Sequence, residues 1–337
     1  MRLLIVTQKV DRKDPILGFF HRWIEEFAKK CEQVTVIGQF VGDHQFQKHV
    51  QVLSLGKERG LPRWRQVFRF WRIIWSQRRS YDAVLVHMTP MWVVLGAPLW
   101  WIAGKPMYQW YEARGGGWVL RIAEKCVQKI FSASAFGMPW KSAKQVVTGH
   151  GIDTEMFSPG LDSRDPQLIC SVGRITASKN VDRLVDAFTK LGRSYQFVIA
   201  GEAIRPDDQN LLKQLHDTFI HTSDVKLNLA IGTRSQEEVV SLLQRASLFL
   251  HASATALDKA LLEAMACECP VISAAEAACG VLPSECVATL DTLVDRARHM
   301  LDLDESERIR IGRKLRMTVV ENHSLPRLID RLVREMQ

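Results

Sequence analysis

The run Leu168-Ile169-Cys170-Ser171-Val172, then Gly173-Arg174-Ile175-Thr176-Ala177-Ser178-Lys179, then Asn180 to Leu191, decides the fold. The first five residues, apolar or small without a polar alternation, read as a strand covered on both faces. Gly-Arg ends that strand, a short loop follows, and helical periodicity predicts a helix over Asn180–Leu191. A strand feeding a helix through a short loop is half of a parallel βαβ unit.

The same alternation runs outward in both directions. Toward the amino end, strands are predicted over Arg2–Thr7, Val34–Ile37, Val50–Leu53, Asp82–Val86 and Met107–Trp110. Helices are predicted over Gly18–Cys31, Pro62–Arg79, Pro90–Ala103 and Trp118–Lys129. Toward the carboxyl end, strands are expected over Gln196–Ala200, Val225–Ala230, Leu248–His251 and Pro270–Ser273. The helices there are Asp207–Phe219, Gln236–Arg245, Asp258–Met265, Leu290–Leu301, Glu305–Val320 and Leu325–Glu335. Thr154–Arg164, rich in Pro, Gly, Ser and Asp, reads as a linker. The expected architecture is α/β: two doubly wound Rossmann-like domains facing across a cleft, covering 1–157 and 158–323. The last helix, 324–337, is expected to pack back on the first domain. Ligands of such sheets sit beyond the carboxyl ends of the strands, so the residues just after strands carry the candidate chemistry.

Composition agrees. A chain of 337 residues has length for about two domains, and 47% hydrophobic with 24% charged residues is the composition of a globular protein. No stretch reaches the roughly 20 apolar residues of a membrane span. The amino terminus does not read as a signal peptide, because Lys9 and Asp11 interrupt its apolar run. Seven cysteines in this length do not form a disulfide framework, which makes a reducing cytoplasm the expected location. Residues 1–157 are strongly basic and the rest slightly acidic, and all ten tryptophans fall between Trp23 and Trp140. That asymmetry suggests two domains with different work, the basic one meeting something anionic.

Arg174 and Lys179 flank the loop before a helix start, whose free N–H groups favour anions; together they suit a phosphate. The alternative is a solvated loop with two surface cations. In Asp258-Lys259-Ala260-Leu261-Leu262-Glu263-Ala264-Met265-Ala266, Glu263 lies on a helix that follows a small-residue loop. A carboxylate there can accept two hydrogen bonds from a ribose diol; alternatively it pairs with Lys259 at i, i+4. Cys267, Cys269, Cys279 and Cys286 lack the paired spacing of a zinc site. Gly115-Gly116-Gly117 lacks the order of a dinucleotide fingerprint.

Taken together, Gly-Arg-x4-Lys, the later Leu262-Glu263-Ala264-Met265-Ala266-Cys267, the junction segment Gly149-His150-Gly151-Ile152-Asp153-x3-Phe157-x-Pro159 and Phe197-Val198-Ile199-Ala200-Gly201-Glu202 resemble the retaining family-four glycosyltransferases of GT-B fold. The resemblance covers Gly149 to about Ser273 well and the amino half loosely. It implies transfer of a sugar from a nucleoside diphosphate to an acceptor, with retention of configuration. It implies no metal, and no cofactor beyond the nucleotide-sugar co-substrate. Arg174 and Lys179 match the pair that neutralises the donor diphosphate, and Glu263 matches the carboxylate that holds the ribose. Gly18 matches a glycine that lets backbone approach the diphosphate. Gly201 and Glu202 match a donor-site loop, and Gly232-Thr233-Arg234 would lie near the base. Acceptor-side candidates are His87, Glu112 and Arg114, each at or just after a strand end.

Departures accompany the match. The first carboxylate of the family's Glu-x7-Glu motif falls on Thr255, Ala113 stands where a histidine is frequent, and His150 replaces an asparagine. Asp258 and Lys259 occupy positions where small or aromatic residues are usual, and either could contact sugar or phosphate. These changes bear on sugar choice and leave open a second reading, a non-catalytic nucleotide-sugar binder. A nucleic-acid partner is not expected, because the tryptophans recur at helical core spacing.

Between Lys57 and Arg79 stand eight basic residues opposed by Glu58, interleaved with Trp64, Val67, Phe68, Trp71 and Trp75 on one helical stripe. Two readings are open. The stripe is core and the arginines are solvated, or the helix docks on an anionic membrane surface and brings the enzyme to a lipid-linked acceptor. The second makes the protein peripheral at the inner face of the membrane.

Overall fold

Leu3, Leu4, Ile5 and Val6 are all buried to 1% exposure or less, as a central parallel strand covered on both faces requires. In this computed structural model, residues 1–14, 16–192, 194–220, 226–231 and 235–337 are described. The chain divides into two units, Met1–Gly151 with Leu325–Gln337, and Ile152–Ser324.

In the first unit, β1 (Arg2–Val10), β2 (Gln33–Val41), β3 (Val50–Ser54), β4 (Ala83–His87), β5 (Met107–Trp110), β6 (Lys129–Ser132) and β7 (Gln145–Val147) pair in the order 3-2-1-4-5-6-7. Every pairing is parallel. Its helices are α1 (Phe19–Lys30), α2 (Arg63–Ser76), α3 (Pro90–Ile102), α4 (Trp118–Cys126) and the last helix of the chain, Leu325–Met336. Alternation along β1 sends Leu3 and Ile5 to one face, against Phe20, Trp23 and Phe27 of α1 and Leu328, Ile329 and Leu332 of the last helix. Leu4 and Val6 face Phe70 and Ile74 of α2, Trp92 and Trp100 of α3, and Leu120 of α4.

The second unit contains β8 (Asp165–Val172), α5 (Val181–Leu191), β9 (Gln196–Gly201), α6 (Pro206–Ile220), β10 (Lys226–Ile231), α7 (Gln236–Arg245), β11 (Ala246–His251), α8 (Lys259–Ala266), β12 (Val271–Ser273), α9 (Leu293–Asp302) and α10 (Glu305–Asn322). Its strands order as 10-9-8-11-12, all parallel. Both units are therefore doubly wound and Rossmann-like. Strand order reverses between β1 and β4 in one and between β8 and β11 in the other. These reversals are where ligands bind in such sheets.

Three details differ from the sequence reading. The helix expected over Trp118–Lys129 stops at Cys126, and β6 starts at Lys129. Val127 turns extended and the Gln128 N–H donates to Met107 O at 2.8 Å, so pairing with β5 wins over helix continuation. The three-residue edge strand β7 is too short to show a period. The segment read as a linker is anchored on the second unit: Arg164 donates to Leu243 O and Ala246 O at 2.7 Å, and Arg316 to Phe157 O at 3.1 Å and Thr154 O at 3.2 Å. Ile152 and Ser324 form a parallel bridge inside the second unit, at its entry and exit.

The last helix, α11 (Leu325–Met336), thus belongs to the unit that begins at Met1. Lys30 pairs with Asp330 at 2.8 Å and Lys129 with Glu335 at 2.7 Å, but its hold is apolar, with Ile329 and Leu332 fully buried. Ile329→Ala is expected to destabilise the first unit by about 2–5 kcal/mol. All ten tryptophans lie in that unit, so tryptophan emission during urea unfolding reads it alone. An unchanged midpoint would show that α11 adds nothing.

Candidate functional site

Two glycines shape the loops at the carboxyl edge of the second sheet. Gly173 takes a φ of +148°, open to glycine and strained for other residues. A Cβ at Gly201 would overlap the carbonyl oxygen of Gly173, so position 201 admits the loop after β8 only without a side chain. The Gly173 N–H donates to Ala200 O at 3.0 Å and the Ile175 N–H to Glu202 O at 3.0 Å. Arg174 stands between them, exposed, with no hydrogen bond or ion pair among the described residues.

Across the reversal point the loops after β8 and β11 are clamped together. The Ala254 N–H donates to Ser178 O at 2.9 Å and Asn180 Nδ2 to Ala252 O at 2.7 Å. Asn180 adopts a left-handed φ of +49°, which asparagine tolerates, and α5 starts directly after it. This clamp holds Lys179 against Asp258, and the two form an ion pair with 14% and 11% side-chain exposure.

Asp258 is the hub of the site. It caps α8, accepting the Ala260 N–H at 3.4 Å, and lies 3.1 Å from His251 Nε2. His251 Nδ1 is 2.8 Å from Ser273 Oγ on the next strand. Burial alone would raise the Asp258 pKa; the His251 hydrogen bond and the Lys179 charge overcome it and hold the carboxyl far below its ordinary range. With Asp258 ionised, the Nε2–H tautomer of His251 satisfies both neighbours. His251 and Ser273 escaped the sequence reading because a histidine ending a buried strand carries no motif of its own.

Glu263 and Thr255, further donor candidates of this unit, flank Asp258 in the chain. Glu263 is 9% exposed and pairs with Lys259 at 2.9 Å. The i, i+4 pair read from sequence is therefore present, on a buried rather than a solvated face. Thr255 Oγ1 is 2.7 Å from Ser253 Oγ and donates to Ala256 O at 3.2 Å. Gly232, Thr233 and Arg234 lie outside the described residues. Among the described residues no group of three His, Cys, Asp or Glu side chains is placed to hold a metal ion.

Gly18, His87, Glu112 and Arg114 belong to the first unit. At its reversal point His87 is fully buried, 3.2 Å from Thr7 Oγ1 and stacked on Phe20 at a centroid distance of 4.1 Å. Burial pushes its pKa down to about 3. It is a neutral histidine packed among aromatic rings. Glu112 accepts the Ala133 and Ser134 N–H groups at 2.6 and 3.3 Å and the Ser134 hydroxyl at 2.8 Å, which ties down the loop after β6. Arg114 lies 4.8 Å over the Phe136 ring, at a surface pocket of about 620 Å3 that Trp140, Lys141 and Gln145 also line. Gly18 has an ordinary helical φ. A Cβ there would press on Asp14 O and Arg12 O, so the residue closes the loop between β1 and α1.

Residues 152–282 match the family model described as Glycosyl transferases group 1. No curated protein sequence matches significantly. The chain is similar in structure to HepE of Anabaena in complex with UDP and glucose, at 16% identity and TM-score 0.74, covering 100% of this chain and 99% of that one. It is similar to sucrose-phosphate synthase of Thermosynechococcus elongatus, at 14% identity and TM-score 0.77, covering 99% and 98%. It is also similar to a lipopolysaccharide outer core galactosyltransferase in its apo form, at 14% identity and TM-score 0.68, covering 100% of both chains. Identities this low establish a shared fold, GT-B, with two Rossmann-like domains.

Two outcomes follow from this geometry. Asp258→Asn leaves Lys179 without its anion and is expected to cost about 3 kcal/mol, read by circular dichroism because the second unit has no tryptophan. A loss under about 0.5 kcal/mol would mark the pair as solvated. His87 is protonated in the unfolded chain below its ordinary 6.5 but in the folded chain not until about 3. The unfolded state therefore binds the extra proton, and stability falls with pH from 6.5 downward by up to about 1.4 kcal/mol per unit. His87→Gln should flatten that slope in tryptophan-monitored unfolding.

Proposed function

We propose that this chain transfers a sugar from a nucleoside diphosphate to an acceptor, with retention of configuration and without a metal. The second unit takes the donor and the first unit the acceptor, which we assign to the glycan or lipid-linked class. The observation that carries the reading is the clamp at the reversal point of the second sheet. It sets an uncommitted guanidinium, Arg174, in the same loop as Lys179, itself held at the start of α8. The match of residues 152–282 to a glycosyl transferase family supports it independently.

In this reading the diphosphate lies on Arg174 and Lys179, and their charge stabilises the departing phosphate. Asp258 keeps Lys179 aimed while the site is empty, and the incoming phosphate competes with it for the ammonium. Glu263 accepts from the ribose hydroxyls, and Lys259 then keeps its charge balanced. Gly201 and Glu202 border the donor from the loop after β9. Thr255 provides no carboxylate nucleophile, so the acceptor attacks from the face that the leaving group vacates. An oxygen of the departing phosphate takes the acceptor proton. HepE, a structural neighbour, is described in complexes with UDP and UDP-glucose, which makes UDP the first nucleotide to test.

A specific observation favours a second reading, a binder without turnover: the Thr255 hydroxyl is bonded within its own loop, where the resembled family has a charge. Release of UDP from UDP-glucose in the presence of candidate acceptors, against tight binding with no release, separates the two.

Calorimetry with UDP tests the donor site. Arg174→Ala is expected to weaken UDP about 10- to 150-fold while leaving uridine nearly unaffected. Lys179→Ala should act likewise, best measured beside Lys179→Ala with Asp258→Asn, which removes the orphaned carboxylate. Glu263→Gln should shrink the preference for UDP over its 2′-deoxy analogue. Unchanged UDP affinity in both cation variants would remove the phosphate site, and an undiminished ribose preference would leave Glu263 as a partner of Lys259 alone.

A further inference from the structure

The helix layer α2, α3 and α4 on the first unit turns the wrong residues outward for a face that meets water. On α2 the sheet is met by Gln66, Phe70, Ile73 and Ile74. The stripe of Trp64, Phe68 and Trp75 is not core, with exposures of 58%, 62% and 42%. Its edges remain half-buried: the Trp71 Nε1–H donates to Leu95 O of α3 at 2.8 Å, joining the two helices. Arg65 and Arg72 are exposed on the same outer side.

α3 makes the anomaly larger. No charged residue occurs from Pro90 to Ile102, whereas the outward face of a surface helix is ordinarily polar. Trp92 and Trp100 fill the inner side, which leaves Trp101 and Ile102 exposed at 58% and 72%. α4 continues the pattern with Trp118 at 69% and Ile122 at 39%. The three helices share one hydrophobic layer beneath them, so these side chains belong to one side of the sheet.

Charge is equally one-sided. α2 carries Arg63, Arg65, Arg69 and Arg72, α4 carries Arg121 and Lys125, and neither α2 nor α3 has an acidic residue. Glu124, the acid on α4, accepts the Trp140 indole N–H at 2.8 Å. Arg65 lies 5.0 Å over Trp64 and Arg78 lies 4.5 Å over Trp75. Each is a flat aromatic body carrying a cation, the arrangement that seats side chains at the boundary between acyl chains and headgroups.

We infer that this layer docks on an anionic lipid bilayer, with α2 and the end of α3 lying in the interface and the arginines on lipid phosphates. A second copy of the chain is disfavoured as occupant, because the face is basic and would repel itself. A nucleic acid would find cations but no use for Met91, Trp101 and Ile102, which stand exposed on an uncharged helix. No helix among the described residues is long and apolar enough to cross a membrane, so the contact is made from one side. The inference stands apart from the glycosyl-transfer reading and deepens it by naming the surface on which a lipid-borne acceptor would be met.

Co-sedimentation of the full chain with phosphatidylcholine vesicles, and with vesicles that also contain phosphatidylglycerol, tests it. Binding is expected to the anionic vesicles and to weaken at high salt. Arg65→Gln and Arg72→Gln should each lower the partition coefficient about five-fold. The pairs Trp64→Ser with Phe68→Ser, and Trp101→Ser with Ile102→Ser, should each lower it roughly ten-fold or more. All four residues are exposed, so unfolding midpoints should stay near the parent value, and UDP affinity should not change. No sedimentation with either vesicle, equal sedimentation with both, or apolar variants that bind like the parent would overturn the inference. So would displacement by RNA, or a dimer lost on Trp101→Ser, each assigning the face to another partner. A failure of UDP binding with vesicle binding intact would sink the donor site and leave the docking face standing.

Discussion

The second unit depends on one carboxylate, Asp258. It starts α8, takes the Lys179 ammonium, and receives the His251 ring at 3.1 Å. Through these contacts the ends of β8, β11 and β12 and the start of α8 are linked to one anion. Such a hub needs ionised Asp258 and protonated Lys179 together, and their low exposure strengthens the attraction relative to water. The backbone clamp between Ser178 and Ala254 and the Asn180 side chain on Ala252 hold the two loops at the spacing the pair requires. Arg174 is left outside this network, which is why it is the cation with most to gain from a bound anion.

The same edge of the other sheet is built on different physics. Where the second unit has charge, the first has a neutral histidine between aromatic rings. His87 ends β4 as His251 ends β11, the corresponding strand of the other sheet, yet Phe19, Phe20 and Trp23 surround it. Glu112, two residues past β5, serves backbone N–H groups. A carboxylate that caps a loop and a carboxylate that meets a ligand look identical in sequence. What separates them is whether amides or solvent lie in front of the oxygens.

Much of the fold was legible because parallel βαβ units have strong local signatures. Continuous apolar strands such as Leu248–His251 and periodic helices such as Gln236–Arg245 were recognisable at once, the helix with its observed ends. The failures were local competitions decided at long range. The helix expected to run on from α4 to Lys129 reached the first residue of β6, and pairing with β5 stopped it. The Ser178, Asn180 and Asp258 arrangement was partly visible, since each residue sat in a segment singled out for its chemistry. His251 and Ser273 were invisible, because nothing near them in the chain hints at their shared neighbour.

The sequence by itself determined two doubly wound domains, the basic and tryptophan-rich character of the first, and the position of a cationic loop after the first strand of the second. Apolar period and residue type carry that information locally, since a helix or strand buries its own stripe wherever the chain leads. The tertiary structure decided which partner each charge takes and which face of each amphipathic helix meets the sheet. Lys179 and Asp258 are 79 positions apart and meet because two strands lie side by side. The stripe Trp64, Phe68 and Trp75 was as good a core face as Phe70, Ile73 and Ile74 by period alone. The sheet accepted the second because one helix presents one face to it, and the aromatic stripe was left outside.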